Sequence, residues 1–261
     1  MKLTTVNTIA ISALIVSACG ARSGDSNQRA NQDATPAPEA TEYLELFDGT
    51  SLTGWRGDTS LWRAENGILV GEIEPGEELS NNSFIIWEGG QPGNFELIAE
   101  YRMTGKGNSG INYRSEELAE PPFALKGYQA DIDAANKYTG QNYEEKGRTI
   151  LAFPGQSVKL PEVTGAVGDY AKGNIWTAAE EVASLGNPDS LRLLIKENDW
   201  NEIRIVANGN QLEHYVNGTL MSKVVDDDVA NRKSEGLIGV QVHVGPPMKI
   251  EYRNIRLKNL D

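Results

Sequence analysis

Only one cysteine, Cys19, occurs in the 261 residues, so no disulfide can form within the chain. Histidine is almost as scarce: His214 and His243 are the two imidazoles available to any chemistry. Basic side chains are outnumbered, with 24 Lys and Arg against 37 Asp and Glu and a net charge of −13. That deficit argues against nucleic acid, whose binding needs clustered cations, and against an anionic membrane surface. It suits a neutral sugar or a cation. Familiar catalytic signatures are also missing, with no P-loop, no G-x-S-x-G, no H-E-x-x-H and no cysteine-rich metal motif.

The N-terminus carries an address. Lys2 is followed by the apolar run Ile9 to Val16 and by Val16-Ser17-Ala18-Cys19, a small-residue cleavage site ending in cysteine. The pattern resembles the lipobox of bacterial lipoproteins, which implies that residues 1–18 are a signal peptide and that Cys19 is lipidated. Gly20 stands where an Asp would resemble an inner-membrane retention signal, so the expected destination is the outer membrane. Gly20 to Thr41 is rich in Ala, Ser, Asn, Gln, Asp and Pro without apolar periodicity, as a flexible tether is. Residues 19–42 are thus expected to be anchor and tether, and 43–261 one folded domain.

That domain reads as all-β. Phe95, Leu97, Ala99 and Tyr101 alternate with Glu96, Ile98, Glu100 and Arg102, and turn signals such as Asn66-Gly67, Asn208-Gly209 and Asn217-Gly218 recur through the chain. Some dozen short strands with such turns predict a sandwich of two antiparallel sheets. One short helix is expected from Thr177 to about Leu185, where Thr177-Ala-Ala-Glu180 matches a capping box. Pro154 to Ile175 reads as a long loop.

The chemistry concentrates between Gly127 and Arg148. In Tyr128–Asp133, alternation turns Tyr128, Ala130 and Ile132 to a core and Gln129, Asp131 and Asp133 away from it. Glu144, Glu145 and Arg148 follow closely. Carboxylates so crowded repel unless they hold a cation, share a proton or meet a polyol. A second constellation lies in GLIGVQVHVG, where Ile238, Val240 and Val242 face one way and Gln241 and His243 the other. Ile111 and Tyr113 likewise face the core, with Asn112 and Arg114 opposite. Asp131 and His243 are therefore expected to face one cleft, with Asn112 and Arg114 on the same surface. If the cluster holds a divalent metal, Asp131 and His243 are its expected ligands, with Glu144 or Glu145. His214 shares a face with Leu212 and Val216 and reads as a core or rim residue. Glu197-Asn-Asp199-Trp-Asn-Glu202 matches the E-x-D-x-x-E of retaining β-glucanases, but it falls in a turn and is read as chance.

The segments LFDGTSLTGW, NFELIAEYRMTGKGNSGINYRS, GYQADID, YTGQNYEEKGR, WNEIRIVANGNQLEHYVNG and GLIGVQVHVGPPMKIEYRNIRLKNL resemble one family. It was first labelled a domain of unknown function and is now described as 3-keto-disaccharide hydrolases or 3-keto-glucoside 1,2-lyases/hydratases. The likeness runs from about residue 43 to 260. Many members read GYE-x-Q where this chain has GYQAD. The resemblance implies a concanavalin-like jelly roll and cleavage of oxidised, 3-keto saccharides by elimination. It implies roles for Asp131 or His243 as base, and for Arg114, Arg148 or a divalent ion as enolate stabiliser. Glu144 joins the catalytic group, and Asn108, Gln129, Gln241 and Glu145 suit substrate binding. No organic cofactor is implied. The other reading is a non-catalytic, lectin-like carbohydrate-binding lipoprotein, whose exposed aromatics would be Trp55, Trp87 and Trp176.

Overall fold

The computed structural model describes residues 42–260, which form two packed sheets. The signal segment, Cys19 and the tether as far as Thr41 lie outside the described residues. The front sheet runs Ala171–Lys172, Ile175–Trp176, Thr149–Ala152, Asn142–Glu145, Leu125–Asp133, Asn108–Glu117, Leu237–Val242, Ser83–Trp87, Trp55–Arg56. The back sheet runs Glu180–Ser184, Gln156–Leu160, Thr219–Asp226, Gln211–Val216, Asn201–Asn208, Phe95–Gly105, Met248–Asn259, Ile68–Ile73, Trp62–Glu65. Leu44–Glu45 adds a short pairing beside Met248–Asn259.

Period-two alternation builds the core. From the back sheet, Phe95, Leu97, Ala99, Ile203, Ile205 and Ala207 point inward. They meet Ile111, Tyr113, Tyr128, Ala130, Ile132, Ile238, Val240 and Val242 of the front sheet. Each fully buried Ile, Leu or Phe stabilises the fold by about 1.5–3 kcal/mol relative to exposure. Because these residues must face inward, their neighbours Gln129, Asp131 and Gln241 must face out of the front sheet. The turn at Asn217-Gly218, with φ of 49° and 78°, has the left-handed geometry of a tight hairpin.

The all-β sandwich is as expected, with three departures. The segment read as a long loop, Pro154 to Ile175, holds the strands Gln156–Leu160 and Ala171–Lys172 and the helical turn Val167–Tyr170. Gln156–Leu160 pairs parallel with Thr219–Asp226, and Thr149–Ala152 parallel with Ile175–Trp176, so the sheets are mixed. The expected helix after Thr177 is instead the strand Glu180–Ser184, paired with Gln156–Leu160. Thr177 does not cap a helix because its hydroxyl donates to the Tyr170 carbonyl at 2.8 Å. The backbone groups of Glu180–Ser184 find their partners on an open sheet edge, which a helix too short to be stable alone cannot match. Helical turns occur elsewhere, at Val167–Tyr170 and Pro188–Arg192.

Candidate active site

The outward face of the front sheet holds a cavity of about 540 Å³. Gln129, Asp131, Gln241 and His243 line it, as does Asn108, so the two strands singled out in the sequence do converge. Tyr143 and Glu145 join from the next strand, Asn142–Glu145. Gln129 Nε2 donates to Gln241 Oε1 at 3.3 Å, tying together side chains 112 residues apart. The close approach is allowed by Gly110, opposite Asp131 in the ladder: a Cβ there would lie 2.3 Å from Gln129 Nε2.

Several polar atoms in this floor have no hydrogen-bond partner. The side-chain oxygens of Asn108, Gln129 and Gln141 and the Gln241 amide nitrogen are buried and unpaired. Buried groups are normally satisfied. Three acceptors and one donor so placed match the hydroxyls and carbonyl of a sugar.

Asp131 sits at the bottom, 4% exposed, and the Gln141 amide donates to its Oδ2. Burial, reinforced by the negative charges of Glu145 and Asp133, pushes its carboxyl well above the ordinary range. Burial also raises Glu145, opposed by Lys146, by the Asn82 amide at 3.3 Å and by His243. His243 Nδ1 lies 2.6 Å from the Val244 carbonyl. A carbonyl can only accept, so Nδ1 carries a hydrogen, and whenever the ring is uncharged its lone pair falls on Nε2. Val244 N donates in turn to Asn82 Oδ1 at 3.0 Å, so one asparagine steadies both the histidine segment and Glu145.

Five residues expected on the site's face have other roles. Glu144 and Arg148 turn inward, because Glu144 alternates with Glu145 along their strand. Arg148 Nε donates to Glu144 at 2.6 Å, and its other nitrogens reach Asp226 at 2.6 Å and Asp228 at 3.4 Å. Although burial alone would lower it, these partners raise the Arg148 guanidinium further. Arg114 leaves the cavity at a bulge between Tyr113 and Glu116, where its own φ is 46°. Its guanidinium donates to the carbonyls of Gly93, Gly209 and Lys233 at 2.8–3.2 Å. Asn112, its expected companion, is buried with its amide 3.4 Å from Ser115 Oγ. Asp133, two residues from Asp131, accepts from Tyr138 N and Thr139 N at 2.8 and 2.9 Å and shapes the following turn.

His214 is a core residue. Its Nε2 meets the Tyr113 hydroxyl at 2.8 Å and its Nδ1 the Gln141 carbonyl at 3.1 Å. It therefore pins the backbone of the residue whose side chain holds Asp131. Glu197 and Asp199 of the E-x-D-x-x-E match lie before the strand Asn201–Asn208 and Glu202 lies on it, and none of the three lines the cavity. The reading missed Asn82, Gln141, Tyr143 and Lys146. Tyr143 was available from alternation with Glu145; the others sit in loops and turns, where no periodicity speaks.

A family model described as a 3-keto-alpha-glucoside-1,2-lyase-like domain matches residues 42–258. The chain belongs to that family. This 3-keto-alpha-glucoside-1,2-lyase-like chain is 24% identical, over 255 residues, to the 3-keto-disaccharide hydrolase of Bacteroides thetaiotaomicron. The match spans 89% of this chain and 83% of the relative. A candidate glycosyl hydrolase structure from Parabacteroides distasonis superposes with a TM-score of 0.52 at 16% identity, over 84% of this chain and all of that one. A Bacillus subtilis protein with a galectin-like fold gives 0.51 at 11% identity, over 84% and 98% of the two chains. These superpositions establish the jelly-roll class of the fold.

Proposed function

We propose that this chain cleaves 3-keto glycosides at the glycosidic bond by 1,2-elimination, with hydration completing a net hydrolysis. What carries the reading is one cavity that pairs Asp131, a carboxyl whose burial favours its protonated form, with His243, whose Nδ1 contact to the Val244 carbonyl leaves Nε2 as the nitrogen free to take a proton. A ketone at C3 acidifies the proton on C2. His243 takes that proton, and an enolate forms across C2 and C3. The enolate electrons then return to make the C1–C2 double bond, the C3 ketone is restored, and the C1–O bond breaks. Asp131 gives its proton to the departing oxygen. Water then adds across the double bond, its hydroxyl to C1 and a proton to C2, and the starting protonation states return.

With Arg114 and Arg148 engaged elsewhere, Lys146 is the cation among the described lining residues, 3.9 Å from Glu145, and it suits the enolate charge. A divalent ion at Asp131 and His243 would supply the same charge, and carboxylate with imidazole suits a borderline cation. Among the described residues, no three His, Cys, Asp or Glu side chains form a metal-binding group. Chelation that leaves kcat unchanged would remove the ion from the scheme. A lectin-like role would rely on exposed aromatics, but Trp55, Trp87 and Trp176 are 6%, 7% and 1% exposed.

The direct test is incubation with 3-keto-sucrose and 3-keto-glucosides in deuterated water. Turnover with deuterium at C2 of the released keto-sugar is expected; binding without turnover would leave a carbohydrate-binding module. Unoxidised sucrose and β-glucans should be inert. The lipobox-like segment extends the proposal to a lipid-anchored, outer-membrane location.

A further inference from the structure

A second cavity, of about 400 Å³, adjoins the polar one. Ile150, Phe153 and Ile175 line both, forming an apolar sill between them. The second cavity lies where the sandwich opens at its end. Thr149–Ala152 and Ile175–Trp176 of the front sheet flank it on one side, and Gln156–Leu160 of the back sheet on the other.

Its polar side chains are already engaged. Gln156 donates to Glu181 at 2.7 Å and accepts from Phe153 N at 2.9 Å, and the Thr177 hydroxyl donates to the Tyr170 carbonyl. The hydroxyls of a second sugar would find few partners among these groups, and unpaired polar groups on burial are costly. An apolar ring would meet Ile150, Phe153, Ile175 and Val158 without that cost. One polar atom is open: Trp176 is 1% exposed, lines the cavity, and its indole nitrogen has no hydrogen-bond partner.

We infer that this second cavity is the aglycone subsite, and that it takes an apolar, aromatic aglycone bearing an oxygen acceptor for the Trp176 N–H. The inference rests on the proposed cleavage of 3-keto glycosides and narrows its substrate class. The keto-sugar occupies the polar floor, the glycosidic oxygen crosses the sill near Ile150, and the aromatic group lies beyond it.

The test compares 3-keto 4-nitrophenyl glucoside with 3-keto methyl glucoside on the unaltered protein. The aryl substrate is expected to have a kcat/KM at least tenfold higher, mostly through KM. Ile175→Ser and Ala179→Arg should each shrink that preference about tenfold. Equal kcat/KM for the two glycosides, or a preference untouched by both substitutions, would overturn the subsite. If neither glycoside is turned over, the cleavage reading fails on its own. Calorimetry with the same pair then decides the subsite: tighter aryl binding supports it, and equal affinity refutes it.

Discussion

Asp131 is where structure and chemistry meet most directly. A carboxyl whose folded pKa is raised contributes stability below its unfolded pKa, and that contribution is lost as pH rises through the folded value. At neutral pH and above, the buried group is therefore a strain on the fold. Asp131→Asn should raise stability at pH 8 by about 1–2 kcal/mol, roughly 2–8 °C in Tm. It should at the same time lower kcat by about 10²–10⁴ and flatten the loss of activity on the alkaline side. Calorimetry and a pH–rate profile check both halves. Arg148 should behave in the opposite way. Arg148→Met leaves Glu144, Asp226 and Asp228 buried without their cation, and removing one partner of such a pair costs about 3–5 kcal/mol. Urea unfolding should register that loss before any assay does. The sequence distinguished these two residues poorly. Alternation along a strand was enough to orient Gln129, Asp131, Gln241 and His243. Arg148 sits just past a turn, and its partners Asp226 and Asp228 lie in a distant segment that no local pattern connects to it.

Elements decide which of these side chains can meet. The bulge that carries Arg114 out of the cavity could not be read in advance, because NSGINYRSE looks like an uninterrupted strand. Strand Glu180–Ser184 shows the same limit: its helix signal was local, and an open sheet edge overrode it. Two elements invite measurement. Gly110 leaves the space that Gln129 fills, so Gly110→Ala should displace that amide and raise KM by about tenfold with a smaller effect on kcat. Unchanged KM would deny Gln129 a binding role. His214 joins the back-sheet strand Gln211–Val216 to the loop before Asn142. Burial lowers its pKa from 6.5 to about 4, so it folds as the neutral ring. The stability it contributes is complete above pH 6.5 and fades as pH falls towards 4. The full loss is on the order of 3 kcal/mol. Urea midpoints at pH 7 and pH 4 should differ accordingly, and His214→Gln should shrink the difference.

At the scale of the molecule, the jelly roll was legible, and so was the outward turn of Gln129, Asp131 and Gln241, since both follow from period-two alternation over many strands. Mixed pairing was not, because parallel partners leave no turn between them to announce the pairing. The proposed anchor is tested in cells: Cys19→Ala should shift the protein from the membrane fraction to a soluble or uncleaved form. Wild-type protein found wholly in the soluble periplasm would refute lipidation.

The order in which strands take their places has a consequence for synthesis. Leu237–Val242 lies between Ser83–Trp87 and Asn108–Glu117, and Met248–Asn259 lies between Phe95–Gly105 and Ile68–Ile73. The last two strands made thus fill the middle of both sheets. Until they emerge, the growing chain has two gaps instead of two sheets, and its pairings span most of its length, which makes closure slow. A nascent chain in that condition cannot complete either sheet, and its strand edges stay unpaired. It also stays sticky, in need of an escort. Because Gln241 and His243 arrive with those strands, the cavity is complete only once nearly the whole chain has been delivered.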